Sequence, residues 1–236
     1  MLINLDYQMI GIKKPAIVML HGWGMDKNCF GNLVQKLENH LAISLDFFGF
    51  GNSINPKDYY DTYEYAYKVF LFLNRLGVDK IKLVGHSFGG RISIILASVF
   101  DLNIEKIVLT SSAGINKFEL KKYIKILNYK IAKVLVNKKF LSPKVLNNFG
   151  SDDYKNASSL MKKIFVKVVN QDLKFLLKNI KQNTILVWDK KDKVTPFSIC
   201  KTLHKGIKNS RIVLFKIGKH FAFLYNTNKF ANIILG

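Results

Sequence analysis

Short apolar runs alternate along the chain with stretches in which apolar residues recur at helical spacing. The runs predict six buried strands, at residues 16–20, 41–47, 80–84, 104–109, 184–188 and 211–215. Helical spacing predicts helices at 30–37, 61–76 and 197–205, and another directly after the third strand. Strands that are apolar on both faces and separated by helices are typical of parallel sheets. The pattern therefore predicts an α/β fold with a mostly parallel central sheet flanked by helices.

The alternation stops between the fourth and fifth strands. Residues 115–183 show helical periodicity and few strand signals, which predicts a helical cap inserted into a core formed by residues 1–114 and 184–236. This segment holds 16 lysines against four acidic residues, a net charge of +12, while the whole chain carries +21. More than half of the excess positive charge is therefore concentrated in the predicted cap.

The positive charge raises the question of a nucleic-acid partner. Only three of the 37 basic residues are arginine, at Arg75, Arg91 and Arg211. Arginine's planar fork is the side chain favoured for reading bases and for paired contacts to phosphate. Lysine spread over the whole chain indicates a compositional bias, and we expect no nucleic-acid partner. A preference for acidic partners or anionic substrates remains a reasonable expectation.

Two features bear on the cellular location. No apolar run is long enough to span a bilayer, and residues 1–11 lack the basic start and long apolar core of a signal peptide, so we expect no stable membrane insertion. Cys29 and Cys200 are the only cysteines, and they are too far apart in sequence to indicate a disulfide framework or a zinc site. These observations predict a cytoplasmic protein without a metal site.

The third strand ends in Gly85-His86-Ser87-Phe88-Gly89, and a helical pattern follows at once. A serine between a strand and a helix, with a glycine two residues before and two residues after it, predicts a nucleophile elbow that presents the serine on a tight turn. A side chain at either glycine would collide with the neighbouring strand and helix. Taken alone, this five-residue motif is also compatible with an ordinary turn in which the serine is the N-cap of the helix.

Ser87, Asp192 and His220 each lie just after the end of a predicted strand. In an open parallel sheet these strand ends meet at one edge, where active sites lie. A serine hydroxyl becomes a good nucleophile when a base takes its proton, and an imidazole oriented by a carboxylate suits that task near neutral pH. The residues alone leave the carboxylate open between Asp192 and Asp189, which lies three positions earlier.

Five ordered stretches carry a resemblance to a known family. They are His-Gly-Trp-Gly at 21–24, Asp-Phe-Phe-Gly-Phe-Gly-Asn-Ser at 46–53, Gly-His-Ser-Phe-Gly-Gly at 85–90, residues 188–196, and Gly-Lys-His-Phe at 218–221. Over nearly its whole length the chain resembles the α/β-hydrolase fold superfamily. The resemblance favours Asp192 as the acid, since the family pattern there is Trp-Gly-x-x-Asp followed by a proline. Asp189 occupies the glycine position of that pattern, and this departure keeps Asp189 as an alternative.

The resemblance also implies the surroundings of the triad Ser87, Asp192 and His220. The backbone N–H groups of Trp23 and Phe88 are expected to form the oxyanion hole. Two further histidines of the motifs are expected to shape the site through backbone contacts and packing rather than to act as the base. They are His21 and His86.

Arg91, two more histidines and several side chains of the predicted cap also need an interpretation. Arg91 either binds an anionic substrate or forms a buried pair with a carboxylate, and the buried pair is favoured. His40 and His204 are predicted to be solvated at helix ends. Aromatic and Met side chains of the predicted cap either line an acyl pocket or belong to the core. The candidates for substrate binding are Phe149 and Met161. Tyr154 and Phe165 are two further aromatic residues of the same segment that could line the pocket.

These features predict a cofactor-independent serine hydrolase that cleaves a carboxylic ester or related acyl bond through an acyl-enzyme. The glycine motif at 21–24 and the basic cap are similar to those of the pimeloyl-carrier methyl ester esterases, whose carrier protein is acidic. This resemblance implies a small ester or acyl substrate that an acidic carrier protein could present. Serine at position 87 argues against haloalkane dehalogenases and epoxide hydrolases, which need a carboxylate nucleophile. A carbon–carbon bond hydrolase, an aminopeptidase and a non-catalytic binding protein of the same fold remain alternatives.

Overall fold

The computed structural model describes residues 5–116, 132–137, 140–142, 144–145 and 152–236. Within these ranges, seven strands form one sheet, and they are β1 Tyr7–Ile10, β2 Lys13–Leu20, β3 His40–Leu45, β4 Ile81–His86, β5 Ile104–Thr110, β6 Asn183–Asp189 and β7 Ser210–Phe215. Their spatial order is β1-β3-β2-β4-β5-β6-β7. In this sheet only β1 and β3 pair antiparallel, and every other neighbouring pair is parallel. The predicted α/β fold with a mostly parallel sheet is confirmed.

Helices cover both faces of the sheet. The α-helices are α1 Gly31–Val34, α2 Thr62–Arg75, α3 Phe88–Val99, α4 Asp152–Asn156, α5 Ser159–Asn170, α6 Phe197–Gly206, α7 Ala222–Tyr225 and α8 Thr227–Leu235. Residues 132–137 are also helical, and 3₁₀-helices occur at Lys27–Phe30, Lys174–Asn179 and Lys219–Phe221. Within the described ranges, no helix combines the length and the apolar character needed to cross a membrane.

The central strands are buried on both faces and therefore build two core layers. Val18 and Leu20 of β2 face a layer closed by α2, α3 and α6, whereas Ile17 and Met19 face a layer closed by α1, α7 and α8. Burial of each such side chain stabilises the fold by about 1.5–3 kcal/mol. The two layers hold the sheet in place between the helices. The loops that follow the parallel strands therefore all begin at the same edge of the sheet.

The described second half of the 115–183 segment packs directly on this core. Met161, Ile164 and Val168 of α5 are buried in the layer that also contains α2 and α3. Leu176 and Leu177 of the following 3₁₀-helix belong to the same layer. The division of the chain into a core and a cap at residues 115–183 stays a prediction.

Three local predictions differ from the structure. Strand β1 was not predicted, because all four of its residues are exposed and carry no alternating pattern. Of the predicted helix at 30–37, only α1 is α-helical, and it follows the 3₁₀-helix Lys27–Phe30. Glu38 and Asn39 then take positive φ angles, and β3 begins directly after them. His40 is therefore not solvated at a helix end: it begins β3, is buried, and its Nδ1 lies 2.6 Å from Leu37 O. His204 is exposed in the last turn of α6, as predicted.

Candidate active site

Ser87 occupies the turn between β4 and α3. Its backbone has φ 49° and ψ −107°, a conformation that costs a residue with a side chain about 1–3 kcal/mol. Neighbouring backbone holds this strained residue in place. Ser87 N–H donates to Thr110 O at 3.2 Å, and Ser87 O accepts from Ala113 N–H at 3.0 Å. The loop that follows β5 thus fixes the serine in the predicted strand–turn–helix geometry.

Two glycines allow the elements around Ser87 to approach one another. A Cβ atom on Gly85 would lie 2.7 Å from Gly89 O, and a Cβ atom on Gly89 would lie only 2.0 Å from Leu20 O. The predicted collision at both positions is confirmed. Gly89 N–H also donates to His21 O at 2.9 Å. This hydrogen bond attaches the start of α3 to the loop that follows β2.

His220 and Asp192 form a hydrogen-bonded pair at the same edge of the sheet. Asp192 lies in the loop after β6, and its Oδ2 accepts from His220 Nδ1 at 3.0 Å. The other carboxylate oxygen accepts from the N–H groups of Val194 and Thr195, at 2.8 and 3.0 Å. Because Nδ1 is bound to the carboxylate, the second ring nitrogen of His220 is the one available to accept a proton.

The charge of Asp192 depends on competing effects. Burial raises the pKa of this carboxyl, but hydrogen bonds from His220 and Thr195 outweigh burial and leave the pKa below its ordinary value. Asp192 is therefore ionised at neutral pH. An ionised carboxylate at this position stabilises a positive charge on the imidazole.

Thr195 is a member of the site that sequence reasoning missed. Its Oγ1 donates to Asp192 Oδ2 at 2.8 Å and lies 3.0 Å from Ser111 O and 3.3 Å from His220 Nδ1. One buried hydroxyl thus contacts the loops after β5, β6 and β7. The available signal was the spacing. An aspartate side chain often accepts hydrogen bonds from the backbone N–H groups two and three residues later, and Thr195 is the third residue after Asp192.

Asp189 forms different contacts from Asp192. Its two carboxylate oxygens accept from the backbone N–H groups of Lys191 and Lys219, each at 2.8 Å. Asp189 therefore ties the loop after β6 to the loop after β7 through backbone contacts. The geometry pairs His220 with Asp192, and it gives Asp189 the task of holding the two loops together.

The imidazole of His220 lies beside the serine turn. Its ring centroid is 4.9 Å from that of His86, the residue before Ser87. Ser87 is half-buried, and within the described residues its Oγ has no hydrogen-bond partner. The bond between a nucleophile and its base is often long in an enzyme without substrate. The structure thus brings the three predicted residues to one edge of the sheet, with the Asp–His contact formed.

The two other histidines near the site are neutral. His21 Nε2 accepts from Phe47 N–H at 3.1 Å, and His86 Nδ1 donates to Thr110 O at 3.2 Å. Burial lowers the pKa of His21 to about 4. Burial, together with the charge of His220, lowers the pKa of His86 to about 3. Neither is a suitable proton acceptor at neutral pH, which agrees with the packing roles expected for both.

The candidate oxyanion donors lie on adjacent elements. Trp23 belongs to the loop after β2, and Phe88 is the first residue of α3. Neither backbone N–H donates to an acceptor among the described residues, as expected for the first N–H of a helix. The rings of Trp23 and Phe88 pack edge to face, with centroids 5.3 Å apart. Both N–H groups are therefore free to bind a ligand.

Helix α5 approaches this edge of the sheet with apolar side chains. The ring of Phe165 packs edge to face against Trp23, with centroids 5.0 Å apart. Met161 is buried against the loop after β3, and a Cβ atom on Gly49 would lie 2.6 Å from its Sδ. Phe149, the other candidate for substrate binding, lies outside the described residues.

Arg91 is committed to a structural contact. It is buried in α3, and its guanidinium donates to Gln171 O at 2.7 Å and to Val169 O at 3.3 Å. The buried role expected for Arg91 is present, but its hydrogen bonds go to backbone carbonyl groups rather than to a carboxylate. Burial lowers the pKa of the guanidinium to about 10, and the nearby charge of Asp172 acts in the opposite direction. The guanidinium caps the last carbonyl groups of α5, where a cation is also favoured by the helix dipole.

Among the residues that the structure describes, the remaining chemically reactive side chains do not form a second centre. Cys29 is half-buried and Cys200 is buried, and both are free thiols. Burial raises the pKa of the Cys200 thiol to about 12 and that of Cys29 still further, so neither is a thiolate near neutral pH. In the part of the chain that the structure describes, no group of three or more His, Cys, Asp or Glu side chains is arranged to hold a metal ion.

Comparison with known proteins agrees with the fold. Residues 15–125 match the family described as alpha/beta hydrolase fold. The chain is 26% identical to an AB hydrolase superfamily protein of Bacillus subtilis, over 98% of this chain and 94% of that protein. The chain therefore has the α/β-hydrolase fold and is a hydrolase.

Two similar proteins are esterases by name. An esterase from Exiguobacterium antarcticum superposes with a TM-score of 0.77 at 25% identity, covering 98% of this chain and 94% of that chain. A pimeloyl-acyl-carrier-protein methyl ester esterase of Wigglesworthia glossinidia brevipalpis is 25% identical over 97% of this chain and 95% of that protein. The similarity to esterases thus extends over nearly the whole chain.

Proposed function

We propose that the chain is a cofactor-independent serine hydrolase that cleaves a carboxylic ester through an acyl-enzyme. The observation that carries the proposal is the 3.0 Å hydrogen bond from His220 Nδ1 to Asp192 Oδ2 at the sheet edge where Ser87 takes its strained turn. An Asp–His pair and a serine at this edge are the parts that acyl transfer requires. The esterases among the similar proteins support an ester as the substrate.

In the first half of the reaction, Ser87 Oγ attacks the ester carbonyl carbon while its proton passes to Nε2 of His220. Asp192 stabilises the imidazolium that results. The carbonyl electron pair moves onto oxygen, and the N–H groups of Trp23 and Phe88 bind that oxyanion, each contributing roughly 3 kcal/mol to transition-state stabilisation. When the carbonyl forms again, the bond to the alcohol oxygen breaks and His220 returns the proton to the leaving alcohol.

The second half repeats these steps with water. His220 takes a proton from a water molecule, and the hydroxide attacks the acyl carbon bound to Ser87. The same two N–H groups bind the second oxyanion. Its collapse releases the carboxylic acid, and Ser87 Oγ recovers its proton from His220. The cycle leaves the enzyme unchanged and consumes one water, so no cofactor is needed.

We also propose that residues 115–183 act as a cap over this site. The contact of Phe165 with Trp23, at 5.0 Å between ring centroids, supports this role for α5. Met161 is proposed to line an acyl pocket, because it is buried against the loop next to the site. Phe149 is the second candidate from the predicted cap.

A second candidate substrate is an acyl ester carried on an acidic protein. It is favoured by the 16 lysines and four acidic residues of 115–183 and by the similarity to a pimeloyl-carrier esterase. A basic cap would speed the encounter with an acidic carrier. Carbon–carbon bond hydrolysis and peptide hydrolysis use the same triad chemistry and are the alternatives that a substrate panel separates.

A fluorophosphonate probe tests the proposal, because it reacts with an activated serine. We expect the label on Ser87, located by peptide mass, and loss of label in Ser87→Ala. The same substitution should lower kcat on a p-nitrophenyl ester at least about 1000-fold. Ser198→Ala is the matched control, since Ser198 is equally half-buried but belongs to α6.

Unchanged turnover or labelling in Ser87→Ala would contradict the proposal. Labelling of Ser87 without turnover of any ester, but with turnover of a peptide or a carbon–carbon substrate, would keep the triad and replace the ester. No labelling and no turnover in the wild type would favour a non-catalytic binding protein.

A further inference from the structure

The two loops that hold Asp192 and His220 carry exposed apolar and basic side chains, which we call the loop surface. It comprises the exposed side chains of residues 190–194 and 216–225. Its apolar members, with their exposed fractions, are Val194 68%, Ile217 57%, Phe221 40%, Leu224 40% and Tyr225 67%. Its basic members are all exposed, and they are Lys190, Lys191, Lys193, Lys216 and Lys219. Both kinds of side chain thus lie on the loops that carry Asp192 and His220.

Contacts between the loops make this a single surface. Asp189 Oδ2 accepts from Lys219 N–H at 2.8 Å, which joins the loop after β6 to the loop after β7. The bond between the carboxylate and the imidazole of the site joins them a second time. The ring of Tyr225 packs on Gly218, where an added Cβ atom would lie 3.0 Å from the ring. The apolar and basic side chains of the loop surface are therefore held near one another.

The charge of the loop surface has a single sign. Its two neighbouring carboxylates point inward, Asp189 to backbone N–H groups and Asp192 to the imidazole of the site. Residues 193–236 contain neither aspartate nor glutamate. Among the described residues, none of the five lysines forms an ion pair. The lysines repel one another, and an anionic surface would remove that repulsion.

The arrangement suits a bilayer better than an acidic protein. At Lys193-Val194 and at Lys216-Ile217, an exposed lysine is followed directly by an exposed apolar residue. At a membrane surface, apolar side chains enter the boundary between headgroups and acyl chains, while lysine ammonium groups stay with the phosphates. Tyrosine, with an apolar ring and a polar hydroxyl, favours the same boundary.

We propose that the loop surface docks the protein onto a bilayer that contains anionic phospholipid. Docking places the loops that carry Asp192 and His220 against the membrane. The docking side chains are separate from the proposed chemistry at Ser87, so binding to the membrane does not depend on the proposed function.

Sedimentation with phosphatidylcholine vesicles, with and without phosphatidylglycerol, tests this proposal. We expect the wild-type protein to bind only the vesicles that contain phosphatidylglycerol, and to be released by high salt. The triple variant Lys190→Gln, Lys193→Gln, Lys216→Gln should bind about 100-fold more weakly. The double variant Ile217→Ser, Tyr225→Ser should bind at least about tenfold more weakly.

The chain offers a matched control for each variant. Lys174→Gln, Lys178→Gln, Lys201→Gln removes three charges from a separate basic groove of about 640 Å³ between the 3₁₀-helix Lys174–Asn179 and α6. Ile12→Ser, Phe175→Ser removes an isoleucine and an aromatic ring that are 79% and 62% exposed. Both controls should bind vesicles as the wild type does, and all variants should melt at the wild-type temperature.

Absence of wild-type binding to the anionic vesicles would overturn the proposal. Equal weakening in the loop variants and in the controls would also overturn it, by showing that only net charge matters. Binding to a soluble polyglutamate that needs the loop residues, without binding to vesicles, would replace the membrane by an acidic protein. Ser87→Ala should bind vesicles normally, so a failure of the proposed chemistry is distinguished from a failure of docking.

Discussion

Asp189 and Asp192 belong to the same short loop, yet their environments differ. The carboxylate of Asp192 is bound to the imidazole of His220 and to Thr195, whereas that of Asp189 is bound only to backbone N–H groups. Each oxygen of Asp189 accepts one backbone hydrogen, so its role is to position loops. The difference in partners, rather than in residue type, determines which of the two can act on an imidazole.

This difference predicts opposite outcomes for two identical substitutions. Asp192→Asn should lower kcat on an ester by at least about 1000-fold at neutral pH, because an amide neither stabilises the imidazolium nor holds the same ring tautomer. Asp189→Asn should change kcat by less than about tenfold and instead lower the free energy of unfolding, since its amide group would face a backbone donor. Steady-state kinetics and urea unfolding of both variants check this. A larger loss of kcat in Asp189→Asn would reverse the assignment of the acid.

At the scale of elements, α3 connects the serine turn to α5. Its first residues carry the turn, and Arg91 on its second turn donates to the carbonyl groups that end α5. A guanidinium in the interior is favourable only when its donors are satisfied, and the unpaired ends of a helix supply such acceptors. The approach of α5 to the site is therefore controlled from the nucleophile helix itself.

Arg91→Met should test this connection, because methionine keeps the apolar stem and removes the donors. We expect the free energy of unfolding to fall by roughly 2–4 kcal/mol, as two carbonyl groups lose charged partners. Hydrogen exchange should become faster at the end of α5, residues 166–171, more than in α6. Arg211→Met, at an exposed arginine of β7, is the control and should change neither quantity. Equal effects of both substitutions would show that Arg91 does not hold α5.

At the scale of the whole molecule, two buried histidines couple stability to pH. His21 and His86 have folded-state pKa values of about 4 and about 3, below the ordinary value of 6.5. The unfolded chain therefore binds more protons than the folded protein as pH falls below 6.5. The stability that these neutral imidazoles contribute is fully present above pH 6.5 and is lost as pH falls toward their folded values.

We expect the free energy of unfolding to fall by roughly 2 kcal/mol per histidine between pH 7 and pH 5. Asp192 does not contribute in this range, because its pKa is lowered from 3.8 and its effect lies at more acidic pH. Urea unfolding at both pH values should show a smaller decrease in His86→Gln than in the wild type. His204→Gln, at an exposed histidine, should retain the wild-type decrease, and an unchanged decrease in His86→Gln would contradict the account.

Much of the site followed from the sequence because short-range pattern and chemistry agree there. Gly85 and Gly89 around Ser87 have to be glycine, since a Cβ atom at either meets backbone at less than 3 Å. Apolar runs on both faces define the parallel strands, and the strand ends of a parallel sheet lie at one edge. The order of Ser87, Asp192 and His220 along the chain was thus enough to predict their common location.

What the sequence determined was therefore the six strands from β2 to β7, the serine turn and the edge at which the reactive side chains meet. Only the tertiary structure decided contacts between residues far apart in sequence: the carbonyl partners of Arg91, the loop-bridging role of Asp189, and the hydroxyl of Thr195 that contacts three loops. Periodicity records which residues face the interior. It does not record which donor meets which acceptor there, because that pairing depends on the register of packed elements and on the free energy of satisfying every buried polar group.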